Sequence, residues 1–95
     1  MDRVGISFKS TQTAEQVRTQ FINPLRVALR TAHAGVYSNY LHQEAASAGG
    51  PAEHLLVFEV NEFRAGLRLL RVKLSQLDPP EPVQFHNLNP SDLPY

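Results

Sequence analysis

Two of the four histidines are the side chains best placed to bind a metal ion or transfer a proton. His42 and His54 flank a short polar stretch, residues 43–53. If the segments on either side pair as a hairpin, the two rings come close together, with Glu44 and Glu53 beside them. Two imidazoles and a carboxylate suffice for a metal site, so His42 and His54 form a candidate metal site. A polar hairpin mouth without metal is the favoured alternative, because the spacing matches no known motif such as HExxH.

The other possible sources of catalysis are weaker. His33 falls near the predicted end of a helix, where it can interact with the helix dipole, and His86 falls at the far edge of the predicted sheet. None of the serines stands in a GxSxG or SxxK setting. The chain has no cysteine, which excludes thiolate zinc sites, iron–sulfur clusters, disulfides and a cysteine nucleophile. The sequence therefore predicts no cofactor and does not favour an enzyme.

Three arginines at helical spacing form a candidate ligand-binding stripe. Arg64, Arg68 and Arg71 stand four and three residues apart, so one face of a helix carries their charge, which could bind phosphates or nucleic acid. Three acidic residues elsewhere could neutralise it: Glu15, Glu59 and Glu62. Nine basic and nine acidic residues give a formal net charge of zero. A solvated helix face is therefore favoured over a nucleic-acid interface.

The composition is that of a small folded protein. The chain has 95 residues, 42% of them hydrophobic and 19% charged, without the charge excess of disordered chains. This length holds one core, so residues 1–95 are predicted to form a single domain, with residues 89–95 as an irregular tail. The sequence begins without an apolar run of signal-peptide length and lacks a membrane-spanning apolar window. We therefore expect a soluble, cytoplasmic protein with no membrane association.

The first half of the chain shows strand and then helix periodicity. Residues 3–9 alternate between apolar and polar side chains, which predicts a half-buried strand. Thr13 and Gln16 fit a capping box, so a helix should begin near Ala14. Proline cannot donate a helical hydrogen bond, and we expect a kink or a fresh helix start at Asn23 and Pro24. Gly35 is predicted to end the helix in a left-handed conformation.

The second half repeats this order. Strands are predicted at residues 36–42 and 54–60, joined by the polar linker. Asn61 can cap a second helix whose leucines recur at spacings of three and four, and the prolines in residues 78–82 end it. A short strand at residues 83–88 completes the pattern. The resulting βαββαβ order predicts an α+β fold of ferredoxin-like arrangement, with a four-stranded antiparallel sheet and two helices on one face.

The outward side of the third predicted strand suggests an interface. If Leu56, Phe58 and Val60 point to the helices, Leu55 and Val57 point to the other side, where two apolar groups would face water. Gly5 and Ser7 would lie beside them, and Tyr37 or Tyr40 could enlarge the patch. We therefore expect a homodimer through Leu55, Val57 and Tyr37. The alternative is that the chain's own C-terminal segment covers this side with three residues: Leu88, Leu93 and Tyr95.

Taken alone, the sequence supports three functional hypotheses and names no partner. The leading one is a noncatalytic binding or regulatory module that acts through protein association or a small ligand. The second is a small enzyme with a His/carboxylate site near His42 and His54. The third is a nucleic-acid binder that uses Arg64, Arg68 and Arg71. A fold of this kind carries many unrelated activities, so the choice depends on the site.

Overall fold

The computed structural model describes residues 1–45 and 49–89, where strands and helices follow one another as strand, helix, strand, strand, helix, strand. The strands are β1 (Asp2–Ser10), β2 (Gly35–Gln43), β3 (Ala52–Val60) and β4 (Gln84–Asn87). The first helical region joins α1 (Ala14–Val17), a π-helical turn (Arg18–Ile22) and α2 (Asn23–Thr31); the second is α3 (Phe63–Ser75). Residues 46–48 of the predicted linker and residues 90–95 of the predicted tail lie outside the described residues.

The four strands form one antiparallel sheet in the order β2-β3-β1-β4. The fold is therefore α+β, and β1 and β3 are the central strands. Val4 pairs with Phe58 and Ile6 with Leu56, and all four side chains are fully buried. Alternate residues of both central strands thus form the floor of the hydrophobic core.

The helices cover one side of this sheet. Phe21, Leu25 and Leu29 of the first helical region and Leu70 and Leu74 of α3 are buried against the inward side chains of β1 and β3. The thinnest dimension of the molecule is 19 Å, as expected for one helix layer on one sheet. The other side of the sheet carries no layer within the described residues. No helix among residues 1–45 and 49–89 is long and apolar enough to span a membrane.

The first helical region begins as predicted and then differs from the prediction. Thr13 and Gln16 form the capping box. Asn23 is the first residue of α2, but it does not cap a separate helix. The residues before it are already helical, and its N–H donates to the carbonyl of Arg18. This wider π-helical turn directly precedes Pro24, whose ring would clash with the carbonyl four residues earlier in a regular α-helix. The proline is therefore accommodated without a break.

The end of this helix also corrects the sequence analysis. His33, and not Gly35, takes the left-handed conformation, with φ of 53°. The amide of Ala34 then bonds the carbonyl of Leu29 at 2.9 Å, which completes a Schellman-type end. Gly35 instead begins β2, where a side chain would collide with the backbone of Glu59 on β3. Gly35 therefore allows β2 and β3 to approach each other closely.

The start of α3 differs by one residue from the prediction. Glu62 is the cap, and its carboxylate accepts a hydrogen bond from the amide of Ala65 at 2.6 Å. Asn61 instead donates its side-chain amide to the carbonyl of His33 at 2.7 Å. Through this hydrogen bond, Asn61 connects the turn before β2 to the start of α3.

Candidate functional site

The uncovered side of the sheet, called the open face below, is the largest surface that the fold leaves without a second layer in the described part of the chain. Its residues follow from the strand register, since directly paired residues of antiparallel strands share a side. They fall into four rows across the sheet: Val36, Glu59, Arg3 and Leu88; Asn39, Val57, Gly5 and His86; Leu41, Leu55, Ser7 and Gln84; Gln43, Glu53 and Lys9.

Leu55 and Val57 lie on the open face as the sequence analysis expected. The expectation that both would face water is wrong, because Val57 keeps only 8% of its surface exposed and Leu55 is half-buried. The most exposed apolar side chains of the face are Val36 and Leu41 on β2, at 50% and 53%. Sequence analysis missed these two residues. The apolar patch therefore runs from the centre of the sheet to its β2 edge.

Tyr37 does not belong to this patch, which corrects the predicted interface. The register of β2 against β3 shifts between Tyr37 and Asn39, so Ser38 is an extra residue at a β-bulge. Because of this insertion, both Tyr37 and Tyr40 point to the helix side, although their odd spacing would separate them in a regular strand. The Tyr37 ring packs edge-on against Phe58 at 5.8 Å between centroids.

The C-terminal side of the chain covers a small part of the open face. A side chain built at Gly5 would lie 2.7 Å from Cδ1 of Leu88 and 3.1 Å from Cδ1 of Leu55, so both leucines lean over this glycine. Leu88 is therefore part of the patch. Leu93 and Tyr95, which the alternative hypothesis also placed here, lie outside the described residues.

Charged residues stand at both ends of the patch. Arg3 pairs with Glu59 across the strands, with 4.0 Å between Nε and Oε2, and Lys9 is the register partner of Glu53 at the other end. Both cations lie on β1 and both anions on β3. An apolar centre bounded by polar and charged residues is the usual anatomy of a protein interface.

A serine–histidine pair lies within the open face. Oγ of Ser7 and Nε2 of His86 are 2.7 Å apart, and Ser7 is 8% exposed. A base at this distance can take a serine proton, but in triads a third group holds the imidazole. Among the described residues, no side chain is seen bonded to Nδ1 of His86. The sequence analysis placed Ser7 on this side of the sheet but did not predict that it pairs with His86.

His42 and His54 are brought together as the sequence analysis expected. They are register partners of β2 and β3, and their rings stack with centroids 5.0 Å apart. Both lie on the helix side of the sheet, and His42 is 3.7 Å from a carboxylate oxygen of Glu44. Among residues 1–45 and 49–89, no group of three or more potential metal-binding side chains is found.

Both ring nitrogens of His54 already have protein partners. Nε2 lies 3.2 Å from the carbonyl oxygen of Ser10, so it must carry the proton, and Nδ1 then accepts the hydroxyl proton of Tyr40 at 2.6 Å. Burial lowers the pKa of His54, an effect that neighbouring His42 reinforces and the Ser10 carbonyl opposes. Burial also raises the pKa of the Tyr40 phenol. A metal at His54 would have to break one of these bonds, so the arrangement favours a structural role.

The three arginines lie on α3 as predicted, and all are exposed. The Arg71 guanidinium lies over the ring of Phe85, 5.2 Å from its centroid, and lines a wide groove that also contains Asp78 and Glu81. These two acids weaken the case for an anion site. Glu59 and Glu62 do not neutralise the arginine stripe as expected. Glu59 pairs with Arg3, and Glu62 caps α3.

Comparison of the chain with protein-family models, with curated proteins and with solved structures finds no match. Function must therefore be argued from the geometry of the molecule itself.

Proposed function

We propose that this protein is a small, noncatalytic binding module that associates with another protein through its open face. The observation that carries the proposal is the exposure of Val36 and Leu41 at about half of their surface, beside Leu55, on a sheet side without a second layer in the described residues. Contiguous apolar surface of this kind is typical of interaction sites.

The overall architecture supports the same proposal. The order β2-β3-β1-β4, with antiparallel neighbours and the helices on one side, supports the ferredoxin-like arrangement expected from the sequence. In such a two-layer fold the helices protect only one sheet surface. An antiparallel sheet tolerates water on its other surface when that surface is polar, and here its centre is apolar instead.

The size and energetics of the open face suit a protein partner. Three strands of nine residues (~30 Å) and one of four, ~4.8 Å apart, give the open face a footprint of about 500 Å², below the ~800 Å² that each partner contributes to a standard interface and in the range of smaller, weaker ones. Val36 and Leu41 are already about half-buried, so completing their burial contributes about 0.8–1.5 kcal/mol for each side chain, half of the value for a fully exposed one. The loss of free motion on association offsets part of this gain.

Site-specific photocrosslinking in cells tests the proposal. A benzophenone amino acid at position 41 should give a crosslinked product of higher mass, while the same group at position 72 should give none. Leu41 on the open face and Val72 on the exposed side of α3 have equal exposure, at 53% and 54%, so they differ mainly in the surface they report on. Equal crosslinking at both positions, or none at position 41, would contradict the proposal.

A further inference from the structure

We infer that the partner on the open face is a second copy of this chain, related by a two-fold axis that runs parallel to the strands between β1 and β3. This inference rests on the proposed function and adds the identity and orientation of the partner. It is carried by a match between the two halves of the face, whose charges and apolar groups become complementary under this rotation.

The charges give the first part of the argument. Rotation about this axis lays β1 of one copy over β3 of the other and keeps each residue at its own level along the strands. Arg3 then faces the partner's Glu59, and Lys9 faces the partner's Glu53. Since Arg3 already lies 4.0 Å from Glu59 within one chain, each end of the interface gains an alternating set of two cations and two anions.

The other two-fold arrangement does not have this property. An axis across the strands would lay β1 over β1 in reversed direction, so that Arg3 faces the partner's Lys9 and Glu59 faces the partner's Glu53. Like charges would meet at both ends of the face, which disfavours this dimer. The positions of both cations on β1 and both anions on β3 therefore select the first orientation.

The apolar groups agree with the same axis. The rotation lays β4 over β2, and the row that contains Arg3 and Glu59 begins with Val36 and ends with Leu88. Val36 therefore faces the partner's Leu88, which removes a half-exposed valine from water. One row further on, Val57 faces the partner's Gly5, where Leu88 and Leu55 already form an apolar floor. Leu55 faces the partner's Ser7 and Leu41 faces the partner's Gln84, so the apolar match is confined to the rows of Val36 and Val57.

Size and strand direction are also compatible with this pairing. Rotation about an axis along the strands leaves both sheets aligned, which is the common geometry for two sheets packed face to face. Each copy contributes its whole open face, so the contact is self-complementary and closes after two subunits. The zero formal net charge of the chain adds no long-range repulsion between copies.

Charge reversal at the more exposed end of the interface tests the inference with purified protein. The wild type should be a dimer at about 100 µM by light scattering. Lys9→Glu alone and Glu53→Lys alone should each weaken the dimer about ten-fold, because each creates two like-charge contacts. An equimolar mixture of the two variants should recover a dimer, since each 9–53 contact between the two chains then joins opposite charges. The controls Arg64→Glu and Glu15→Lys reverse exposed charges elsewhere and should leave the dimer unchanged.

The possible results separate the inference from the proposed function. A stronger dimer for Lys9→Glu would indicate the axis across the strands and so overturn the inference. A dimer whose affinity changes with neither charge reversal would also overturn it. A wild-type monomer would also overturn it, while crosslinks from position 41 to another protein would still support the proposed function. A monomer that dimerises on removal of residues 90–95 would show that the chain's own terminus occupies the face. Circular dichroism of each variant checks that the fold is retained, and Val36→Lys offers an independent disruption on an exposed side chain.

Discussion

His54 is a fully buried imidazole held between the Tyr40 hydroxyl and the Ser10 carbonyl. Its environment stabilises the neutral ring, because the charged form would lose hydration and stand beside His42. His54 is therefore better explained as a polar part of the core than as a catalytic base, with the exposed His42 stacked against it. Each polar atom of the ring has a partner, which removes the cost of burying it.

This arrangement predicts a pH dependence of stability. The folded-state pKa of His54 is below its unfolded value of 6.5, so the unfolded chain binds the proton more readily. The free energy of unfolding should be fully maintained above pH 6.5 and fall as the pH decreases below it. Urea unfolding of the wild type and of His54→Phe between pH 8 and pH 5 should show a smaller loss in the variant. Identical slopes for the two proteins would contradict the lowered pKa.

Gly66 provides a second prediction about a single residue. A methyl group at this position of α3 would lie 2.5 Å from side-chain atoms of Val60 on β3. Alanine favours a helix over glycine by about 1 kcal/mol, but the clash should dominate, so Gly66→Ala should lower the free energy of unfolding by about 1–3 kcal/mol. The double variant Gly66→Ala/Val60→Ala should lose less than the sum of the two single changes. Strict additivity would show that the helix and strand do not touch here.

The beginning of α3 tests an element-scale assignment. Glu62→Ala removes the acceptor of the Ala65 amide and should cost about 0.5–2 kcal/mol. The Ala65 amide should also exchange with solvent faster. Asn61→Ala is the matched comparison, because sequence analysis placed the cap there and the structure gives Asn61 a bond to His33 instead. If exchange of the Ala65 amide became faster in Asn61→Ala and not in Glu62→Ala, Asn61 would be the cap, as the sequence analysis predicted.

The elements that could be predicted from sequence are those whose signal is local. Alternation marks β1 and the apolar run marks β3, and helical spacing of leucines marks α3 because one face must be buried. Pairing of β2 with β3 then brings His42 beside His54, as the sequence analysis expected. A capping box is equally local, and Thr13 confirmed it.

The parts that could not be predicted depend on distant contacts or on a single extra residue. Sequence periodicity carries no sign that Ser38 is inserted, so the orientation of Tyr37 could not be foreseen. The bond from His54 to Ser10 joins residues 44 apart in the chain. The position of Leu88 over Gly5 depends on the register of β4 against β1, which four residues of strand hardly specify.

The described part of the chain is a thin slab with one protected and one open surface, and under the proposed pairing this shape would couple stability to association. If the open faces pair, dilution must favour unfolding, because the dimer dissociates as it unfolds. The midpoint of thermal unfolding should rise by about 3 °C for each tenfold increase in protein concentration. Measured by calorimetry, the unfolding midpoint of Val36→Lys should no longer depend on protein concentration, whereas that of Val72→Lys should still do so. The two valines are almost equally exposed, so exposure alone does not explain this difference. A concentration-independent midpoint in the wild type would argue against pairing.

The bulge at Ser38 has a consequence for how many copies can assemble. β2 is an outer strand of the sheet and nine residues long, and a regular strand of that length presents free amides and carbonyls that can template the addition of further strands. Such addition has no natural end and produces fibres. The extra residue bends β2 and interrupts its hydrogen-bonding repeat, which makes the edge a poor template. Growth along the sheet is thereby restrained, so if the open faces pair as proposed, assembly stops at two chains.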